Sequence, residues 1–207
     1  MKLYLSSIDI PAPAELEILM GKPLKGSSVA LIPNAQDYYS PRAWDYKVGK
    51  RSEYFESFGL HCTVVDLREV NGDTQIYSAF KGQDLIWAMG GNTFCLRYEM
   101  RKSGFDHAIR KLLSNDTVYG GDSAGALVAG TSISGIESAD IPQFAVEKID
   151  EGLGLVPFVV LPHIDNPEFA DAVKVVKSRT QIGTLIELKD AQAVIFSDNK
   201  YKIVETS

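Results

Sequence analysis

Gly121-Asp122-Ser123-Ala124-Gly125 is a Gly-x-Ser-x-Gly pentapeptide. It follows Thr117-Val118-Tyr119, which reads as a short strand, and precedes a stretch that reads as a helix from about Ala124. A serine in such a strand-to-helix turn is held in a strained backbone with its hydroxyl outward. Glycines two residues to either side let strand and helix backbones pass closely, and the Ala124 amide becomes a candidate donor to a developing oxyanion. The plain structural alternative is a glycine-rich turn with a capping serine. A nucleophilic serine needs a base, and the chain has only three histidines. His61 opens an expected strand, and His107 sits among Asp106, Arg110 and Lys111 on an expected helix. His163 follows Leu161-Pro162 at the end of a strand, which makes it the candidate general base.

The base needs an acid to orient it. Glu137, Asp140, Glu147, Asp150 and Glu151 lie between Ser123 and His163. The chain order serine, acid, histidine is one known hydrolase solution. Asp140, in Ser138-Ala139-Asp140-Ile141-Pro142, is favoured, with Glu137 next and Asp165 third, and spacing alone does not separate them. Gly90-Gly91-Asn92-Thr93-Phe94 follows another expected strand, where two glycines let a backbone amide approach a bound carbonyl. Gly91 and Ala124 are thus the candidate oxyanion donors, and Gly90 and Asn92 candidate substrate contacts. Capping of the next helix by Asn92 or Thr93 is the structural alternative. Asp122, inside the turn, is expected near the site, exposed and repelling acidic substrates. No cluster with metal-ligand spacing occurs, so neither a metal nor another cofactor is expected.

These residues need a scaffold, and the pattern supplies one. Leu3 to Ser6, Ser28 to Pro33, His61 to Leu67, Asp84 to Met89, Thr117 to Tyr119 and Phe158 to Leu161 read as strands. Ser28-Val29-Ala30-Leu31-Ile32 barely alternates, so it is expected to be buried on both faces. Arg42 to Phe58 reads as a helix ending at Gly59, Thr93 to Leu113 as two helices broken at Ser103-Gly104, and Pro167 to Lys177 as another. Leu185 to Leu188, Ala193 to Phe196 and Tyr201 to Val204 read as strands near a sheet edge, either closing the sheet or forming a dimer edge. A hairpin turn is expected at Asp198-Asn199. Strands alternating with helices imply an α/β fold, a mostly parallel sheet with helices on both faces. Functional groups then gather at the carboxyl ends of the strands. The 207 residues suit one domain, 1–207.

Composition narrows the partners. The 27 acidic and 21 basic residues give a net charge of −6, which argues against nucleic acid. No apolar run approaches a membrane span, and Met1 to Ser7 lacks the apolar length of a secretory signal. Only Cys62 and Cys95 occur, and free thiols in a reducing cytoplasm are expected.

Together, Gly90-Gly91-Asn92-Thr93-Phe94, Gly121-x-Ser123-Ala124-Gly125-Ala126 and Leu153-Gly154-Leu155-Val156-Pro157-Phe158 leading into Pro162-His163 resemble the dipeptidase E (aspartyl dipeptidase) family of serine peptidases. The resemblance runs over nearly the whole chain and is strongest between Asp84 and Asn166. It implies the flavodoxin-like fold of the class I glutamine amidotransferase-like superfamily and hydrolysis of short peptides by a serine, histidine and acid. The family's nucleophile falls on Ser123, its histidine on His163, and its acid on Asp140, where Asp140-x-Pro142 is similar to the family's Asp-x-Pro. The oxyanion hole falls on Gly90-Gly91 and the Ala124 amide. Members that prefer an N-terminal aspartate carry an arginine-bearing segment shortly after the histidine. Here Ile164 to Asp171 is acidic, with Lys174, Lys177 and Arg179 only later, so strict aspartyl preference is not expected. The expected partner is a short peptide, with no nucleic acid or membrane, and the chain a monomer or homodimer. The competing readings are an esterase or other acyl hydrolase, and a catalytically silent binding module. A glutamine amidotransferase would need cysteine in place of Ser123.

Overall fold

The computed structural model describes residues 1–178 and 183–206. Five parallel strands form the middle of the molecule: β1 (Lys2–Ser6), β2 (Ser28–Ile32), β3 (His61–Val64), β4 (Leu85–Ala88) and β5 (Val118–Asp122). Two antiparallel strands, β8 (Gln192–Ser197) and β9 (Lys200–Glu205), extend the sheet beyond β1. The order is β3-β2-β4-β5-β1-β8-β9. β6 (Val159–Leu161) and β7 (Leu185–Glu187) form a separate parallel pair. The mostly parallel α/β sheet expected from the alternation of elements is what the chain forms.

The pleat sorts side chains between two cores. Tyr4, Val29, Leu31, Leu85 and Trp87 point to one face. There they meet Leu16 and Leu19 of α1 (Pro13–Met20) and Val48 and Phe55 of α2 (Pro41–Ser57). Leu3, Leu5, Ala30, Ile32, Ile86 and Ala88 point to the other. That face is covered by α3 (Asp73–Phe80), α4 (Thr93–Ser103) and α5 (Phe105–Leu112). With helices on both faces, β2 and β4 are buried throughout apart from Ser28, which explains their unalternating apolar runs. α4 and α5 break at Gly104, whose left-handed backbone ends one helix and starts the next. Asp198 and Asn199 both take positive φ, 50° and 57°, and close the β8–β9 hairpin.

Some elements differ from the sequence expectation. α1 and α3 are eight-residue helices whose short apolar patterns do not stand out along the chain. The helix after Ser123, α6 (Ala124–Leu127), lasts one turn. The stretch from Pro167 opens as a 3-10 turn before α7 (Ala170–Ser178). β6 does not join the main sheet; it lies against α6. No helix among the described residues is long and apolar enough to cross a membrane.

Candidate active site

The turn between β5 and α6 is built by close packing. A methyl on Gly121 would strike the backbone of Gly125, and one on Gly125 would strike the Ala88 carbonyl of β4. No larger residue lets strand and helix meet so closely. Ser123 between them has φ 48° and ψ −108°, a conformation that costs a non-glycine residue about 1–3 kcal/mol. Its N–H donates to Ser6 O at 3.0 Å, and its carbonyl accepts from Ala126 and Leu127 at 3.0 and 2.9 Å. These bonds fix the backbone and leave the hydroxyl aimed at His163.

Ser123 Oγ lies 2.9 Å from His163 Nε2. His163 itself has a left-handed backbone, φ 62°. Its N–H donates to Ser7 Oγ at 2.8 Å, and its ring stacks on Phe169 with centroids 4.3 Å apart. The other ring nitrogen, Nδ1, is 2.6 Å from Asp190 Oδ1. Asp190 is held in turn. Its Oδ2 accepts from Asn166 Nδ2 at 3.0 Å, Ser7 Oγ reaches its Oδ1 at 3.4 Å, and its N–H donates to Asp165 Oδ1 at 2.9 Å. Burial pushes the Asp190 carboxyl up, but the hydrogen bonds from His163 and Asn166 outweigh it and hold the group below the usual carboxylate range. Serine, imidazole and carboxylate thus form one hydrogen-bonded line from β5 to the loop after β7.

The acid in this line is not Asp140. Asp140 Oδ2 accepts instead from the Thr93 N–H at 2.9 Å and from the Thr93 hydroxyl. Its carboxylate braces the start of α4. Glu137 pairs with Lys148 at 2.9 Å, and Asp165 supports the Asp190 backbone. Asp190 lies outside the interval between serine and histidine, where the order serine, acid, histidine places the acid, and well past Asp165. It follows Leu185 to Leu188, so the carboxyl-end rule applied to the tail strands points to it.

The glycine pair is also divided by the structure. Gly90 N–H donates to Asp122 Oδ2 at 3.1 Å, and Gly90 O accepts from Gln36 Nε2, so both backbone groups of Gly90 are engaged. Asn92 caps α4 by accepting from Cys95 N–H at 3.0 Å and ties down Ile141 O with its amide at 3.0 Å. Both backbone groups of Gly90 thus have partners within the fold, and the Asn92 side chain is buried as a helix cap. Gly91, with φ 136°, is pressed against Ala35 and Gln36, where no Cβ fits. Its amide and that of Ala124 have no acceptor among the described residues.

Asp122 is buried, not exposed. Trp87 Nε1–H donates to its Oδ1 at 2.7 Å, and Arg51 Nη2 meets its Oδ2 at 3.2 Å. Burial raises its pKa, and the Arg51 charge with the Trp87 and Gly90 bonds only partly offsets this. The residue fastens α2, β4 and the Gly90 turn to the nucleophile strand. His61 and His107 are exposed, away from this line of groups. Of the late cations, Lys174 is exposed, Lys177 pairs with Glu187 at 2.7 Å, and Arg179 lies outside the described residues.

The profile of peptidase family S51 matches residues 11–204. The chain belongs to this family. As an S51 member it is a peptidase-type hydrolase with peptidase E relatives. An uncharacterized peptidase of Listeria innocua, Lin0382, is 29% identical over 179 residues, 86% of this chain and 84% of that one. Peptidase E of a Nostoc species is 31% identical over 153 residues, 73% of this chain and 57% of its own length. A crystal structure from Listeria monocytogenes, provisionally named a peptidase E protein, superposes with a TM-score of 0.83 at 25% identity, covering 100% of this chain and 98% of that one. A peptidase from an acI-B1 actinobacterium shares the fold, with a TM-score of 0.77 at 18% identity over 99% of this S51 chain and 87% of its own.

Proposed function

We propose that this S51 member cleaves short peptides through an acyl-enzyme on Ser123, with His163 as general base and acid and Asp190 as the orienting carboxylate. The observation that carries the reading is the line Ser123 Oγ, His163 Nε2, His163 Nδ1, Asp190 Oδ1, with steps of 2.9 and 2.6 Å. With its Nδ1 proton donated to Asp190, the imidazole presents a lone pair on Nε2 to the serine hydroxyl.

As Ser123 Oγ bonds to the scissile carbonyl carbon, its proton passes to His163 Nε2. The carbonyl π pair moves onto oxygen, where the Gly91 and Ala124 amides receive the charge. One such donor contributes about 3 kcal/mol in comparable sites. The tetrahedral adduct collapses by breaking the C–N bond, and the leaving nitrogen takes the proton from His163. Water then loses a proton to His163, adds to the acyl carbon and releases the acid, and Ser123 regains its hydrogen. Asp190 remains ionised throughout and stabilises the imidazolium in each half-reaction.

The test is labelling with a fluorophosphonate, read by intact mass and peptide mapping. One phosphonyl group on Ser123 in the native protein, and none in Ser123→Ala, supports the reading. A folded native protein that does not label overturns it.

A further inference from the structure

Ser123 opens into a narrow cavity of about 30 Å³, bounded also by His163, Asp140, Leu127, Phe169 and Val173. At about 10–15 Å³ for each water-sized group, that volume admits two or three, enough for an ammonium and a methyl. Its wall is apolar on the side of Leu127, Phe169 and Val173. Among the described residues Asp140 supplies the one carboxyl group in its wall, and no lysine or arginine lines it. Asp140 uses only Oδ2 to hold Thr93, and Oδ1 carries no hydrogen bond among the described residues. The cations Lys47, Lys50 and Arg51 line a different cleft, of which Ser123 is not a wall.

A carboxylate beside a small apolar hole matches a carbon that bears both a cation and a small side chain. The amino-terminal residue of a peptide has that arrangement next to its carbonyl. The carboxy-terminal residue of a dipeptide brings a carboxylate instead, which Asp140 repels. We propose that this cavity holds the substrate's amino-terminal residue, with the free ammonium on Asp140 Oδ1 and a small uncharged side chain against Leu127, Phe169 and Val173. Given Ser123 as nucleophile, on which this rests, the enzyme acts on small apolar amino-terminal residues and rejects an acidic one. An aspartyl side chain would place a second carboxylate beside Asp140 with no cation to meet it, and unpaired charge is costly away from water.

Steady-state hydrolysis of Ala-Leu, Asp-Leu and N-acetyl-Ala-Leu by native protein and Asp140→Asn tests this, with fluorophosphonate labelling of each protein run in parallel. Asparagine keeps the shape and an acceptor oxygen for Thr93. The native protein should favour Ala-Leu over Asp-Leu and over N-acetyl-Ala-Leu by at least about 100-fold each in kcat/KM. Asp140→Asn should raise KM for Ala-Leu by roughly 10- to 100-fold with kcat within a few-fold. It should also shrink the free-amine preference below about tenfold while labelling is unchanged. A brace that merely supported Thr93 would not erase discrimination between free and acetylated amines. With Ser123 labelled, a preference for Asp-Leu, equal use of the acetylated peptide, or cleavage of none of the three overturns the proposal and leaves the nucleophile standing. Failure to label overturns the reading beneath it.

Discussion

Asp190→Asn is expected to cripple turnover while leaving the fold intact, because of the way Asn166 holds the carboxylate. Asn166 Nδ2 donates to Asp190 Oδ2 at 3.0 Å, so an asparagine introduced there must turn its oxygen toward Asn166. Its NH2 group then faces His163 Nδ1, where Asp190 Oδ1 now sits at 2.6 Å. An NH2 donor there requires an unprotonated Nδ1 and moves the ring proton to Nε2, the nitrogen that must accept from Ser123. The imidazolium also loses its counter-charge. With charge centres roughly 4 Å apart at a partly exposed site, that attraction is about 4 kcal/mol, or about a thousandfold in rate. Both kcat on a cleaved dipeptide and the rate constant for fluorophosphonate labelling should fall by about 10³- to 10⁴-fold, with thermal stability changed by about 1 kcal/mol. Adding Asn166→Asp removes the donor that fixes the introduced amide, which can then turn its oxygen back to His163. The new carboxylate keeps an acceptor for the Glu168 amide, which Asn166 Oδ1 now binds at 3.0 Å. The double variant should recover at least about tenfold of the lost rate. An Asp190→Asn protein within tenfold of native kcat, shown by mass to be the intended variant, would refute the tautomer argument and remove Asp190 from the mechanism.

Four further outcomes are expected. Gly91→Ala should reduce kcat by about 100-fold or more, because its methyl meets Ala35 and Gln36 and the strained turn must shift its amide; single-turnover rates check this. Arg51→Met should destabilise the fold by about 3–5 kcal/mol in urea titrations, since it leaves the Asp122 carboxylate buried without its cation. Asp122 has a folded pKa above its unfolded value, so its penalty appears as pH rises past that value; the Arg51→Met loss should therefore be larger at pH 8 than at pH 5. Asp190 is the opposite case. Its folded pKa is depressed, so its stabilisation is present above the unfolded value and disappears as pH falls through the folded one, and Asp190→Asn should flatten the acid limb of the stability curve.

The local elements of the site are written in residue order. Gly121 and Gly125 at fixed offsets from Ser123, after a β-branched strand and before a helix, admit few backbones other than the strained turn that forms. Unalternating apolar runs at β2 and β4 required helices on both faces, and Gly104 and Asp198-Asn199 carried their break and hairpin in residue type alone. His163 stood out because a strand ends beside it, whereas His61 opens a strand and His107 sits among charged residues on a helix. The acid was not legible. Asp140, Glu137, Asp165 and Asp190 are all loop carboxylates, and the carboxyl-end rule admits both Asp165 after β6 and Asp190 after β7 without choosing between them. Their roles depend on where separate segments meet: β7 pairs with β6, the next loop brings Asp190 under the ring that follows β6, and Asp140 falls instead on Thr93. Asp122 could not be placed for the same reason, since its partners Trp87 and Arg51 come from β4 and α2. Backbone geometry is set by neighbouring residues, whereas the partner of a charge is chosen by whichever distant groups the packed chain brings within a few ångströms.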